Sequence, residues 1–96
     1  MSCLHTIAKS PASNLLTSCS ALLQKGDGLI FVEDGIYYCD QLQLEDLISR
    51  GISVYCLKDD LQARASCKGS LPDSALVDCK AYVDLCCTHD KVVNWF

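Results

Sequence analysis

Leu29-Ile30-Phe31-Val32, followed at once by Glu33-Asp34-Gly35, is the stretch on which the fold turns. Four consecutive apolar residues rich in β-formers suit a strand covered on both faces, and such strands belong to parallel sheets with helices above and below. On the N-terminal side, Cys3 to Ile7 reads as a first short strand. Ser10-Pro11 then starts a helix, with serine as N-cap and proline in the first helical position. From Ser13 to Gln24 the apolar residues Leu15, Leu16, Cys19, Leu22 and Leu23 recur at the spacing of one helical face. Gly26-Asp27-Gly28 ends that helix and turns the chain into the central strand.

On the C-terminal side, Asp34 is placed to cap a short helix through Ile36-Tyr37-Tyr38-Cys39, and Leu44, Leu47 and Ile48 mark further helical turns closed by Gly51. Ile52 to Leu57 is the third strand, and Asp59 or Asp60 caps a short helix from Leu61 to Ser66. Ser70 to Ser74, with Pro72, is a loop. Ala75-Leu76-Val77 is a fourth strand, and Val92 to Phe96 a short closing one. Between these two, Tyr82, Leu85, Cys86 and His89 share a helical face. Strand and helix alternate throughout, so the expected fold is α/β, a mostly parallel sheet of four to five strands with helices on both faces. The 96 residues suit one domain spanning 1–96, and no repeat or linker divides them.

Composition excludes several functions. Eight basic against twelve acidic residues leave a formal charge of −4, and the basic ones are scattered rather than striped. That argues against direct nucleic-acid binding. No apolar run approaches the ~20 residues of a membrane span, and the first residues lack the features of a signal peptide, so a cytoplasmic setting is expected. The strand ends offer acids and backbone amides but no glycine-rich phosphate cradle, which disfavours nucleotides. No cofactor is implied.

The eight cysteines are Cys3, Cys19, Cys39, Cys56, Cys67, Cys79, Cys86 and Cys87. Without an export signal, and with regular helix and strand patterns, they read as small apolar residues in a reducing compartment rather than a disulfide framework. No Cys-x-x-Cys is present, and Cys86-Cys87 on a helix would point about 100° apart, so a metal site is not expected. His5 reads as a core histidine of the first strand, and His89 sits near a helix C-terminus, where the dipole mildly favours a cation. Cys19 is the one candidate nucleophile. It stands in the middle of its helix on the leucine stripe, away from the helix N-terminus or cationic neighbour that would lower its pKa.

Longer motifs carry more information. Leu4-His5-Thr6-Ile7-Ala8-Lys9-Ser10-Pro11 resembles the opening of the TusB/DsrH family of sulfur-relay subunits. Gly26-Asp27, Glu33-Asp34-Gly35-Ile36-Tyr37, Val54-Tyr55, Asp60-Leu61-Gln62-Ala63-Arg64, Val77-Asp78, Tyr82-Val83-Asp84-Leu85 and Asn94-Trp95 match in the same order. The resemblance covers nearly the whole chain. It departs at Cys79, where an aromatic is usual, and between Tyr38 and Gln43, which looks shortened and cysteine-bearing.

This resemblance implies a three-layer α/β/α domain of the DsrE type. It also implies a mainly structural subunit that joins TusC-like and TusD-like sister subunits in a dimer of heterotrimers. Such an assembly relays persulfide sulfur towards 2-thiolation of tRNA wobble uridine, with the reactive cysteine on the TusD-like subunit. The alternative is a DsrH-like carrier in sulfur oxidation, in which Cys19 accepts the persulfide. An interaction subunit should expose apolar surface, sought first at Tyr37, Tyr38, Trp95 and Phe96, which would also let the isolated chain self-associate.

Overall fold

The apolar runs become five strands: β1 (Cys3–Ile7), β2 (Gly28–Phe31), β3 (Ser53–Leu57), β4 (Leu76–Val77) and β5 (Lys91–Trp95). A computed structural model describes residues 2–39, 43–64 and 71–95. The strands form one sheet in the order β4-β3-β2-β1-β5, and every pairing is parallel. The helices are α1 (Leu15–Ser20), α2 (Gln43–Ser49), α3 (Lys58–Ala63) and α4 (Cys79–Thr88). None of these is long and apolar enough to cross a membrane.

Alternation along the strands splits the core into two clusters, one on each face of the sheet. Ile7, Leu29, Phe31, Val54 and Cys56 point to one side, where Leu16 and Cys19 of α1, Leu44 and Leu47 of α2, and Leu61 of α3 cover them. Leu4, Ile30, Val32, Leu57 and Val77 point to the other, against Ala81, Tyr82, Leu85 and Cys86 of α4. The result is three layers. They are unequal, because among the described residues α4 alone forms the second helical layer, and none of its residues is fully buried. Its start is well capped, the Asp78 carboxylate accepting the Ala81 N–H at 2.7 Å.

Several local expectations are corrected. The helix expected to continue from Pro11 to Gln24 is two pieces, a 3-10 turn at Pro11–Ser13 and α1. Asn14 separates them in the left-handed region at φ 59°, a conformation asparagine tolerates better than most residues. Because α1 ends at Ser20, Leu22 leaves the apolar stripe and is 60% exposed. The segment Glu33–Tyr38 is 3-10 rather than α, and α3 begins at Lys58, ahead of the two aspartates expected to cap it. The end of the expected helix at Ser66, and Ser70, lie outside the described residues.

Cys39 and Cys56 correct the reading of the cysteines as free thiols, since they are joined by a disulfide. Periodicity could not show this, because the two lie on different elements and meet only when the segment after β2 folds back over β3. Cys3, Cys19, Cys79, Cys86 and Cys87 are free, and Cys67 lies outside the described residues.

Candidate functional site

Cys19 lies in the last turn of α1 with its side chain turned into the core, and none of it is exposed. Burial, with a smaller contribution from the Asp27 carboxylate, pushes its thiol from about 9 up to about 12. A thiol so placed is closed to solvent in the isolated chain and held in its protonated form near neutral pH, unlike the solvent-reached thiolate that a persulfide carrier uses. Iodoacetamide at pH 7.5 is therefore expected to label exposed Cys79 and Cys87 at least 100-fold faster than Cys19 in the folded chain, read by peptide mapping. The linkage has a definite sign. A pKa raised in the folded state favours folding below about pH 9, and that contribution is lost as pH climbs from 9 through 12.

The same side of the sheet holds a buried polar cluster that no local motif announced. His5, 4% exposed, takes the indole N–H of Trp95 on Nδ1 at 3.0 Å, with the two rings stacked. That assignment leaves the imidazole proton on Nε2, which faces Asp27 Oδ2 at 3.5 Å. His5 is thus the expected core histidine, although Nε2 makes no hydrogen bond within normal reach. Asp27 is also buried, and it accepts the Cys3 N–H on Oδ1 at 3.1 Å and the Gln24 N–H on Oδ2 at 3.0 Å. It therefore ties the start of β1 to the turn that follows α1. The turn itself relies on Gly26, whose φ of +94° is open to glycine at no steric cost.

At the carboxyl ends of β2 and β3 two of the acids expected there, Asp34 and Asp60, are engaged with the protein itself. Asp60 Oδ2 accepts the Glu33 N–H at 2.7 Å, holding Glu33 at a left-handed φ of 48°. Arg64 bonds Asp34 at 3.1 Å and lies 3.7 Å from Asp60. These two carboxylates brace the turn after β2. Strand order reverses between β1 and β5, where ligands of open α/β sheets usually settle. There the Trp95 indole is already committed to His5.

A groove of about 250 Å³ runs between α1 and α2, lined by Leu16, Thr17, Ser20, Asp46, Leu47 and Arg50. Arg50 crosses it to bond the Ser20 and Leu23 carbonyls at 3.3 and 3.1 Å, satisfying the end of α1. His89 caps α4 in a similar way, its Nδ1 lying 2.8 Å from the Leu85 carbonyl. Among the described residues no group of His, Cys, Asp and Glu side chains is arranged to hold a metal ion.

The aromatic residues separate. Tyr37 is 43% exposed, whereas Tyr38 is turned inward, stacked on Phe31 at 5.2 Å, with its hydroxyl 3.4 Å from the Leu16 N–H. Tyr38 is therefore core and not surface, because successive residues of a 3-10 turn point to different sides. Trp95 is half-buried, and Phe96 lies outside the described residues. Leu22, Ile48, Val83 and Val92 are the other large apolar side chains left exposed among the described residues.

The family model described as "DsrH like protein" matches residues 9–92. The chain belongs to the DsrH-like family. Its similar proteins include Protein TusB of Escherichia coli K12, 32% identical over 94 residues, and Protein TusB of Photorhabdus laumondii, 30% identical. Protein TusB of Buchnera aphidicola is 28% identical. Each comparison covers 96% of this chain and 99% of the relative. The solution structure of protein Tm0979 from Thermotoga maritima shares the fold, with a TM-score of 0.57 at 17% identity, over 86% of this chain and 88% of that one.

Membership in the DsrH-like family gives the sequence motifs a common context, and the geometry gives several of them a physical reason. Gly26-Asp27 makes the turn that receives the N–H groups of Cys3 and Gln24. Asp34-Gly35 and the Asp60…Arg64 pair build the braced corner above β2 and β3. Thr6 and Tyr82 meet through their hydroxyls at 3.3 Å, joining β1 to α4.

Proposed function

We propose that this chain is a mainly structural subunit of a cytoplasmic TusBCD-like sulfurtransferase assembly, which relays persulfide sulfur for 2-thiolation of tRNA wobble uridine. Its partners are TusC-like and TusD-like sister subunits in a dimer of heterotrimers. The observation that carries this reading is similarity to Protein TusB over almost the entire length of both chains. The closed, high-pKa setting of Cys19 supports a role in holding the assembly rather than carrying sulfur. An acidic chain with no basic stripe leaves contact with tRNA to other components.

The DsrH match of the family model, together with the presence of a cysteine at position 19, favours one other reading, in which Cys19 accepts a persulfide in sulfur oxidation. A single experiment separates the two. The gene for this chain is deleted and restored as wild type or as Cys19→Ser, while 2-thiouridine in bulk tRNA is measured by mass spectrometry and the assembly is followed by co-purification. Deletion is expected to abolish thiolation, and Cys19→Ser to restore it to within about twofold of wild type. Normal thiolation in the deletion strain would overturn the tRNA reading. A Cys19→Ser protein that assembles normally yet cannot restore thiolation would make Cys19 a carrier.

A further inference from the structure

We propose that Cys39 and Cys56 are a reversible dithiol–disulfide pair, which ties the surface segment carrying Tyr37 to β3 when it is oxidised. The proposal does not depend on the sulfur-relay reading. Cys39 follows directly on the 3-10 segment Glu33–Tyr38 and caps it, its N–H donating to the Ile36 carbonyl at 2.9 Å. Cys56 is the β3 residue in register with Phe31 of β2. The bridge therefore spans 17 residues of sequence and fastens one corner of the sheet's carboxyl edge.

Reversibility follows from the company this bridge keeps. The five other described cysteines are free, and Cys79 and Cys87 are exposed on the same helix. A chain adapted to permanent oxidation would be ill served by two exposed thiols, which exchange and cross-link. In a milieu that keeps those two reduced, a bridge forms only conditionally. The Cα atoms of the pair are 7.0 Å apart, just beyond the usual bridged range of about 4.4–6.8 Å, a separation that also accommodates two thiols in contact.

Both sulfurs are buried, with Cys39 2% and Cys56 0% exposed, so exchange proceeds through local opening of the segment's last turn. That turn is 3-10, with the poorer hydrogen-bond geometry of its class, which makes it a natural place to open.

The oxidant is a low-molecular-weight disulfide of the glutathione type. One cysteine thiolate attacks it, forming a mixed disulfide and expelling one small thiolate. The second cysteine, as thiolate, attacks the mixed disulfide and expels the other. Two protein thiols are oxidised and one small disulfide is reduced to two thiols, which take up the two protons released. A dithiol reductant runs the exchange backwards. Closing the loop constrains the unfolded chain, so the oxidised form should melt higher.

The test uses the full-length chain equilibrated at low concentration in glutathione buffers from fully reducing to fully oxidising. Samples are acid-quenched, alkylated in denaturant and mapped by mass spectrometry, and parallel samples are melted. From reduced to oxidised, Cys39 and Cys56 are expected to lose alkylation together and appear as one Cys39–Cys56 peptide, whereas exposed Cys79 and Cys87 can only take up glutathione singly. The melting temperature should rise by about 10 °C. Dithiothreitol added to the folded, oxidised chain should restore alkylation of both Cys39 and Cys56. Cys39→Ser and Cys56→Ser should each abolish the shift. Because the wild type in two redox states is the main comparison, the result holds even if a variant folds poorly.

The proposal is overturned if no bridge forms with excess glutathione disulfide. It also fails if the bridge yields to reductant only after unfolding, or if both states melt alike.

Discussion

Gly35→Ala is expected to destabilise the protein by about 3 kcal/mol, the upper part of the range for forcing an atom into a packed site. A Cβ at position 35 would overlap the carbonyl oxygen of Ile7, which is backbone and cannot turn aside like the tip of a flexible side chain. That carbonyl is already engaged, accepting the Val32 N–H at 3.0 Å, and the Gly35 N–H in turn donates to the Val32 carbonyl at 2.9 Å. The methyl group can be placed only by lifting the 3-10 segment off the end of β1. That would loosen Ile36 and Tyr38, both buried against the sheet. In a domain of this size the loss corresponds to roughly 10–20 °C in melting temperature, measured by circular dichroism. A variant melting within about 3 °C of wild type would show that the segment does not hold this close approach in solution.

Asp27→Ala should have a comparable effect through a different mechanism. Its carboxylate serves two backbone N–H groups, those of Cys3 and Gln24, and faces the imidazole of His5. Truncation leaves both donors without their acceptor in a part-buried site, and each such group costs about 1–3 kcal/mol. A total loss of about 3 kcal/mol is expected, assessed by urea denaturation. Asp27→Asn should recover only part of it. An amide oxygen can still accept from Cys3, but the NH₂ group would then meet the Gln24 donor. Trp95 is the chain's single tryptophan and is bonded to His5, so its fluorescence reports on the same cluster. A changed emission in folded Asp27→Ala would show that the cluster is coupled. Unchanged stability would mean that water replaces the carboxylate without cost.

Both residues were visible in the sequence as parts of motifs, Asp34-Gly35-Ile36-Tyr37 and Gly26-Asp27, but the motifs did not say why. Gly35 reads as a turn residue until Ile7, on another strand, is brought beneath it. Asp27 reads as a turn residue until β1 and the end of α1 converge on its carboxylate. Tyr37 and Tyr38 are neighbours of the same chemical type, and only packing against Phe31 separates the exposed ring from the buried one. Leu22 shows the opposite failure. Its spacing is right for the apolar stripe of α1, yet the helix stops two residues earlier.

The sequence alone determined the layered α/β class, a mostly parallel sheet of four to five strands and the family, because these rest on local signals. An apolar run such as Leu29 to Val32 is buried wherever it lies, and motifs in fixed order survive without any knowledge of contacts. The tertiary structure decided the surroundings of each candidate group. Whether Cys19 is a nucleophile or filler depends on the desolvation and the Asp27 charge around it, both supplied by other elements. The meeting of His5, Asp27 and Trp95 spans 90 residues from strand to strand, and Cys39 finds Cys56 across β3. A local pattern records how a residue repeats along its own helix or strand. It carries no record of which distant side chain will stand opposite once the sheet has closed, and reactivity is set by that neighbour.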